Sequence, residues 1–300
     1  MTLDIPVVIF HIGSQEYFKR CVKINSERNH VYVIGDQSNQ DLFADNHNVT
    51  HIHKSTLNEE EVNRFSNCFV NYSTNDRQHE LNCFLRIFYL KQFMLLMKID
   101  RAFHADSDCI VLDSVANVFG QLPNVQIAYS VQKHCQERDE HHMVGSVHSS
   151  LLNLDFCDAF IQLCFDIYEN KTKYHLIEQK VNWHCDNNHP GGICDMTLYY
   201  LMCSTGLVEV TDLNEIQCVE NESCVFDHAL YNSYGHLGTN TYKASDEHGK
   251  KKLIKLPDGK NHYYFENVKG ELIRALSIHF QGEWAKWILE RLDRLDNINL

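Results

Sequence analysis

A chain of 300 residues with 44% hydrophobic side chains can bury a sizeable core, as one large α/β domain or two small ones. Its 27 lysines and arginines stand against 40 acidic residues, a net charge of −13, which argues against non-specific binding to nucleic acid or an anionic membrane. An anionic substrate would need locally placed cations, or a metal, to approach such a surface.

In chain order, strands and helices alternate. Ile5 to Phe10 is a short continuous apolar run, as expected of a buried strand. Ser14 stands as an N-cap for a helix carrying Tyr17, Phe18, Cys21, Val22 and Ile24. Val31 to Ile34 reads as a second strand ended by Gly35 and Asp36, and Val49 to His53 as a third. Leu57 to Val70 is an acidic amphipathic helix, whereas Leu81 to Ile99 is apolar on nearly all sides and so belongs inside the domain. Arg101 to Ala105 ends a strand, and Val125 to Ser130 and Val147 to Asn153 are two more, followed by a helix from Leu154 to Glu169. This order predicts a mostly parallel sheet with helices on its faces. Ligands bind such sheets at the carboxyl ends of the strands, where His11, Ile12, Gly13, Asp36 and Asp106 all fall.

No repeat or low-complexity tract interrupts the chain. The lysine-rich segment from Tyr242 to Gly259 carries turn signals and reads as an excursion on the surface. Two loops, His134 to His142 and Trp183 to Pro190, each combine Cys, His and Asp, but in no standard zinc spacing. The twelve cysteines form no Cys-x-x-Cys pair and suit reduced thiols in a cytoplasmic protein. Met1 to Pro6 lacks the basic and apolar regions of a signal peptide, and Phe84 to Met97 is too short to span a bilayer.

Three constellations carry chemistry. Asp106-Ser107-Asp108 follows a strand end, and in extended chain residues two apart point the same way. Two such carboxylates repel unless a proton or a divalent cation lies between them, and a hard cation so held suits a diphosphate. Near the C-terminus, a strand from Ala275 to Phe280 and a helix from about Glu283 frame His279, Gly282 and Lys286. Imidazole can complete a metal site, glycine admits a phosphate to the backbone, and lysine neutralises it; a strand-ending histidine and a surface lysine are the plainer reading. Gly191-Gly192 precedes an apolar helix with Asp195 in its first turn, where the helix dipole stabilises a carboxylate that could also orient or deprotonate a substrate hydroxyl. Arg86, inside the apolar helix, reads either as a ligand-binding cation or as the ion-pair partner of Glu80 or Asp76.

The block Cys83 to Val115, CFLRIFYLKQFMLLMKIDRAFHADSDCIVLDSV, resembles the core of nucleotide-sugar glycosyltransferases of the GT-A fold with a DxD motif, including bacterial and viral polysaccharide-type enzymes. His279, Gly282 and Lys286 are similar to the H-x-x-G-x-x-K motif of family 8-type glycosyltransferases, with the lysine displaced by one residue. The resemblance implies a single catalytic domain over 1–300, using a UDP-sugar in preference to a GDP-sugar, Mn2+ or Mg2+, and a glycan or glycoconjugate acceptor. It implies that Asp106 and Asp108 approach the ribose and the metal, with Asp108 favoured for direct coordination and His279 as the third protein ligand. Ser107, Arg86, Gly282 and Lys286 would lie along the nucleotide diphosphate, and His11, Ile12, Gly13 and Asp36 around the nucleoside. Asp195 would be the base if the reaction inverts the anomer, and would position the acceptor if it retains. The rival readings are a haloacid dehalogenase-type phosphatase with Asp106 as nucleophile, and a non-catalytic relative that only binds glycans or protein.

Overall fold

The computed structural model describes residues 5–132, 141–231, 242–257 and 262–292. The loop expected from His134 to His142 therefore falls mostly outside the described residues, as does the end of the lysine-rich segment.

The first half runs β1 (Val7–Phe10), α1 (Glu16–Asn25), β2 (Val31–Gly35), β3 (Val49–His53), α2 (Glu60–Cys68), α3 (Arg77–Met97), β4 (Arg101–Ala105), β5 (Cys109–Val111) and α4 (Val115–Gly120). It continues with β6 (Ala128–Val131), β7 (Gly145–Asn153), α5 (Leu154–Tyr168), α6 (His175–Asp186), α7 (Asp195–Ser204) and β8 (Thr211–Asp212). The chain closes with β9 (Gln217–Val219), β10 (Glu222–Phe226), β11 (Leu253–Lys255), β12 (Tyr263–Glu266), β13 (Leu272–His279) and α8 (Glu283–Arg291).

The fold is mixed α/β. The main sheet has seven strands in the order β3-β2-β1-β4-β7-β6-β8, in which β7 alone runs against the others. Its strands β1, β2, β4, β6 and β7 are buried on both faces, so their residues alternate between two cores rather than between core and water. Val7, Ile9, Val31 and Val33 pack towards α1, α8 and a second sheet. Val8, Ile34, Ala102 and Leu152 pack towards α2, α3, α5 and α7. That double burial is why the strands read as continuous apolar runs. It also explains α3, whose buried residues lie on nearly every side.

Local chemistry sets the helix starts. Asp76 caps α3, its carboxylate accepting the amides of Gln78 and His79 at 2.9 and 3.0 Å. Helix α1 starts at Glu16 with Gln15, not Ser14, at the cap position and no side-chain cap there. Gln15 is engaged elsewhere, with its amide oxygen on the His11 ring.

The second sheet, in the order β11-β12-β13-β10-β9, meets the first through β5, which pairs antiparallel with β13. The described part of the lysine-rich segment is woven into this sheet: β11 pairs with β12, Tyr242 bridges Asn267, and Lys250 and Lys251 are buried. Buried Asn25 ties α1 to β5, donating to the Cys109 carbonyl at 3.0 Å and accepting from the Val111 amide at 2.7 Å. The Asp106–Asp108 turn is thereby fixed between two sheets and one helix.

Gly192 brings the start of α7 against the 72–74 turn. Its φ is +125°, and a Cβ there would lie 2.0 Å from the Tyr72 carbonyl oxygen. Gly192→Ala is expected to destabilise the protein by at least about 1–3 kcal/mol, read from the midpoint of urea unfolding at unchanged slope. A variant as stable as the parent would contradict this packing.

Candidate functional site

Asp106, Ser107 and Asp108 form a turn, not extended chain: the Cys109 amide donates to the Asp106 carbonyl at 2.9 Å, and the Asp106 amide to the His148 carbonyl at 2.8 Å. The two carboxylates converge because the chain leaves the main sheet and enters β5, not because of strand alternation. Pairing of β5 with β13 sets His279 opposite Cys109, and the Phe280 amide donates to the Asp108 carbonyl at 2.9 Å. One ligand atom each from Asp106, Asp108 and His279 therefore lies within 4.8 Å of the others.

The state of His279 follows from its neighbours. Its Nδ1 is 2.6 Å from the His228 carbonyl, which can only accept, so Nδ1 carries a proton. Its Nε2 lies 3.3 Å from the Asp108 carboxylate. A neutral ring would aim a lone pair at an anion, an arrangement that requires a proton or a cation between them. Burial works against that proton, but Asp108 and Asp106 outweigh it and raise the His279 pKa above its ordinary 6.5. Two carboxylates and one imidazole with its lone pair turned inward are a donor set suited to a divalent cation.

A second imidazole group, His148, His228 and His279, is equally close. Its geometry points elsewhere. His148 donates from Nε2 to the Asp227 carbonyl at 3.2 Å and accepts at Nδ1 from the Ser146 hydroxyl at 2.9 Å, so both ring nitrogens are engaged. Burial holds its pKa well below the usual range, and its ring stacks on His279 at 4.5 Å.

Arg86 does not pair with Glu80 or Asp76, its acidic neighbours in sequence. Its guanidinium bridges Asp106 and Asp195, while Glu80 accepts from Ser73 and Asn75 and Asp76 caps the helix. Burial alone would raise the Asp106 carboxyl, but Arg86, with His104 and His279, holds it well below the carboxylate range. Asp195, only 3% exposed, is held by Arg86 on one oxygen and by the Met196 amide, at 2.9 Å, on the other. Lys286 reaches within 3.6 Å of Asp108 and lies 5.1 Å from the centre of the Tyr17 ring.

Part of this cluster borders a cavity of about 290 Å³ at the carboxyl ends of β1 and β4, with His279 and Asp195 set behind its lining. His11, Ile12, Arg86, Asp106, Ser107, Asp108 and Lys286 line it. Gly13 lies beside it, at φ +106°, with the Gln15 amide folded into the space a Cβ would fill. Gly282, at φ +87°, starts α8 and carries Lys286 one turn on. Asp36 turns onto Ser38 and is not among the lining residues. The lining also includes Gln15, Tyr17, His79, Asn82 and Cys83, which sequence reasoning did not single out as site residues. The last three share one face of α3 with Arg86 at spacings of three and four, a polar stripe visible in an otherwise apolar helix. A larger hollow, about 710 Å³, lies at the opposite end of the main sheet beside Arg101 and Asn153 and holds no such convergence of metal-ligating groups. The Trp183 to Pro190 segment is not all loop: Trp183 to Asp186 form the end of α6, His184 and His189 hydrogen-bond main-chain carbonyls, and no three-ligand group among the described residues includes them. The eleven described cysteines are free thiols, and no described helix is long and apolar enough to cross a membrane.

Arg86→Met leaves buried Asp195 without its cation and is expected to cost about 3–5 kcal/mol. Adding Asp195→Asn to that variant should recover part of the loss, in a double-mutant cycle read by chemical unfolding. Strictly additive losses would contradict the pairing.

No family model matches the chain, and no curated protein matches it. Among solved structures, mouse xyloside xylosyltransferase 1 in its apo form aligns over 78% of this chain and 90% of its own, at 12% identity and a TM-score of 0.48. A cytidylyltransferase from Leptospira borgpetersenii serovar Hardjo-bovis aligns over 60% of this chain and 73% of its own, at 12% identity and a TM-score of 0.31. At these scores the functional reading rests on the site itself and on neither neighbour.

Proposed function

We propose that the chain is a metal-dependent glycosyltransferase of the GT-A type, moving a sugar from a nucleoside diphosphate sugar, with UDP favoured, to a hydroxyl of a glycan or related acceptor. The observation that carries this reading is His279: its Nδ1–H is fixed on a carbonyl, and its Nε2 faces Asp108 beside Asp106, at the edge of a cavity at the strand ends. In this reading Asp108, His279 and Asp106 hold Mn2+ or Mg2+. Bound there, the metal supplies positive charge to the departing diphosphate.

The other roles follow from which groups remain available. Arg86 has two carboxylate partners, which favours an organising role over a direct grip on phosphate. Lys286 borders the cavity and contributes a point charge suited to the diphosphate, with Ser107 beside it. Its own proton is secure: burial pulls its pKa down, but Asp108 raises it overall. His11 stacks on Phe18 at 3.9 Å, burial keeps it neutral at physiological pH, and with Ile12, Gly13, Gln15 and Tyr17 it forms the nucleoside end. Both oxygens of Asp195 are engaged, by Arg86 and by the Met196 amide, and the side chain is buried, which favours positioning of the acceptor side as its role. The phosphatase reading asks Asp106 to attack phosphorus, and its pairing with Arg86 works against that.

Asp108→Ala and His279→Ala are expected to abolish Mn2+-dependent UDP binding in calorimetry while leaving a cooperative thermal unfolding transition. Retained metal-dependent binding in both folded variants would refute the metal assignment. The raised His279 pKa gives a second test with a definite sign. Metal must displace the Nε2 proton, so Mn2+ affinity should fall as pH drops through that raised pKa, by up to about tenfold per unit. Titrations in buffers of differing ionisation enthalpy should show net proton release; pH-independent affinity with no release would contradict it.

A further inference from the structure

Lys251 lies in the lysine-rich segment, yet it is 5% exposed. Its ammonium sits 2.5 Å from the carboxylate of Asp227, itself 1% exposed, and faces the rings of Tyr242 and Phe265 at 5.0 and 5.7 Å. The other oxygen of Asp227 has no hydrogen-bond partner among the described residues. Lys251 is the ionic partner of this buried carboxyl, which also interacts with the His279 main-chain amide, and removing one member of a buried pair leaves the other uncompensated.

The main chain around Asp227 is the mount of His279. The Asp227 carbonyl accepts from His148, whose ring stacks on His279. The next carbonyl, of His228, accepts from His279 Nδ1. The Leu230 amide donates to the His279 carbonyl at 2.8 Å, and the Lys251 amide donates to the Leu230 carbonyl at 2.9 Å. Residues 227–230 thus clip around His279 and are gripped from the far side by Lys251, through its side chain and its main chain.

We infer that Lys251 is a positioning residue for the metal site: through Asp227 it holds the His228 carbonyl in place, and so fixes the tautomer and ring direction that turn His279 Nε2 towards Asp108. It touches neither metal nor substrate. The metal part of this inference rests on the proposed function; the tautomer part does not. Outer partners that orient a ligating histidine commonly change metal affinity 10–100-fold when removed.

The test uses the full chain as Lys251→Met, Lys251→Arg and the neutral pair Asp227→Asn/Lys251→Met, the last guarding against a single variant that fails to fold around an unpaired carboxylate. Two readouts are taken: Mn2+ affinity by calorimetry, and the imidazole 1H–15N spectrum without metal, at a pH well above the histidine range. In the parent, neutral His279 should be the Nδ1–H tautomer. Lys251→Met, or the neutral pair, should bind Mn2+ about 10–100-fold more weakly and show a mixture of tautomers, whereas Lys251→Arg should recover both. UDP affinity in chelator should not change, because the nucleoside end lies on other elements. Parent-like Mn2+ affinity and a pure Nδ1–H tautomer in a folded variant would overturn the inference. Failure of the parent itself to bind Mn2+ would sink the proposed metal function instead, and the tautomer spectra would still decide whether Lys251 sets His279.

Discussion

The bridge that Arg86 makes between Asp106 and Asp195 is the interaction on which the rest of the site depends. Three carboxylates, Asp106, Asp108 and Asp195, meet at the end of β4 and the start of α7 in a chain that already carries a net charge of −13. Left to themselves they would repel or take up protons. A guanidinium fixed in a buried helix supplies one cation to two of them, in a geometry that a lysine cannot reproduce. Asp108 is thereby left as the carboxylate that faces Lys286 and His279.

The second sheet completes what the first begins. The main sheet delivers Asp106 and Asp108 at a strand end, but His279 comes from β13, far away in sequence, and reaches them only through the β5–β13 register. A one-residue slip in that pairing would turn His279 away from Asp108. The buried Asn25 bridge to β5 and the clip formed by residues 227–230 both oppose such a slip. The nucleoside end, beside β1, is a separate wall, so metal and nucleotide affinities are separable in experiment.

Sequence was informative where burial on both faces writes a continuous apolar run. β1 and β2 and helices α3, α5 and α7 were legible within a few residues, and so was β3, although it is a half-buried edge strand. The ends of strands bracketed Asp106-Ser107-Asp108 for the same reason. The second sheet was mostly not legible: apart from β13, its strands are short, three to five residues, and gain their burial from partners distant in sequence. The partners of Arg86 were not legible because Glu80 and Asp76 are merely its acidic neighbours in sequence, whereas tertiary packing brings in residues 20 and 109 positions away. His148 and His228 gave no signal, since a histidine inside a strand looks the same whether it braces a ligand or fills a core. Lys251 was hidden by its own neighbours, a run of lysines that reads as a solvated edge.

Metal binding is the claim on which the functional account stands. It is tested most directly by anomalous scattering from crystals grown with Mn2+ and UDP. One manganese peak is expected, bonded to the Asp108 carboxylate and to His279 Nε2, beside Asp106, with the UDP diphosphate on the same ion. A peak placed instead among His148 and His228, or no peak in a crystal that holds UDP, would contradict it.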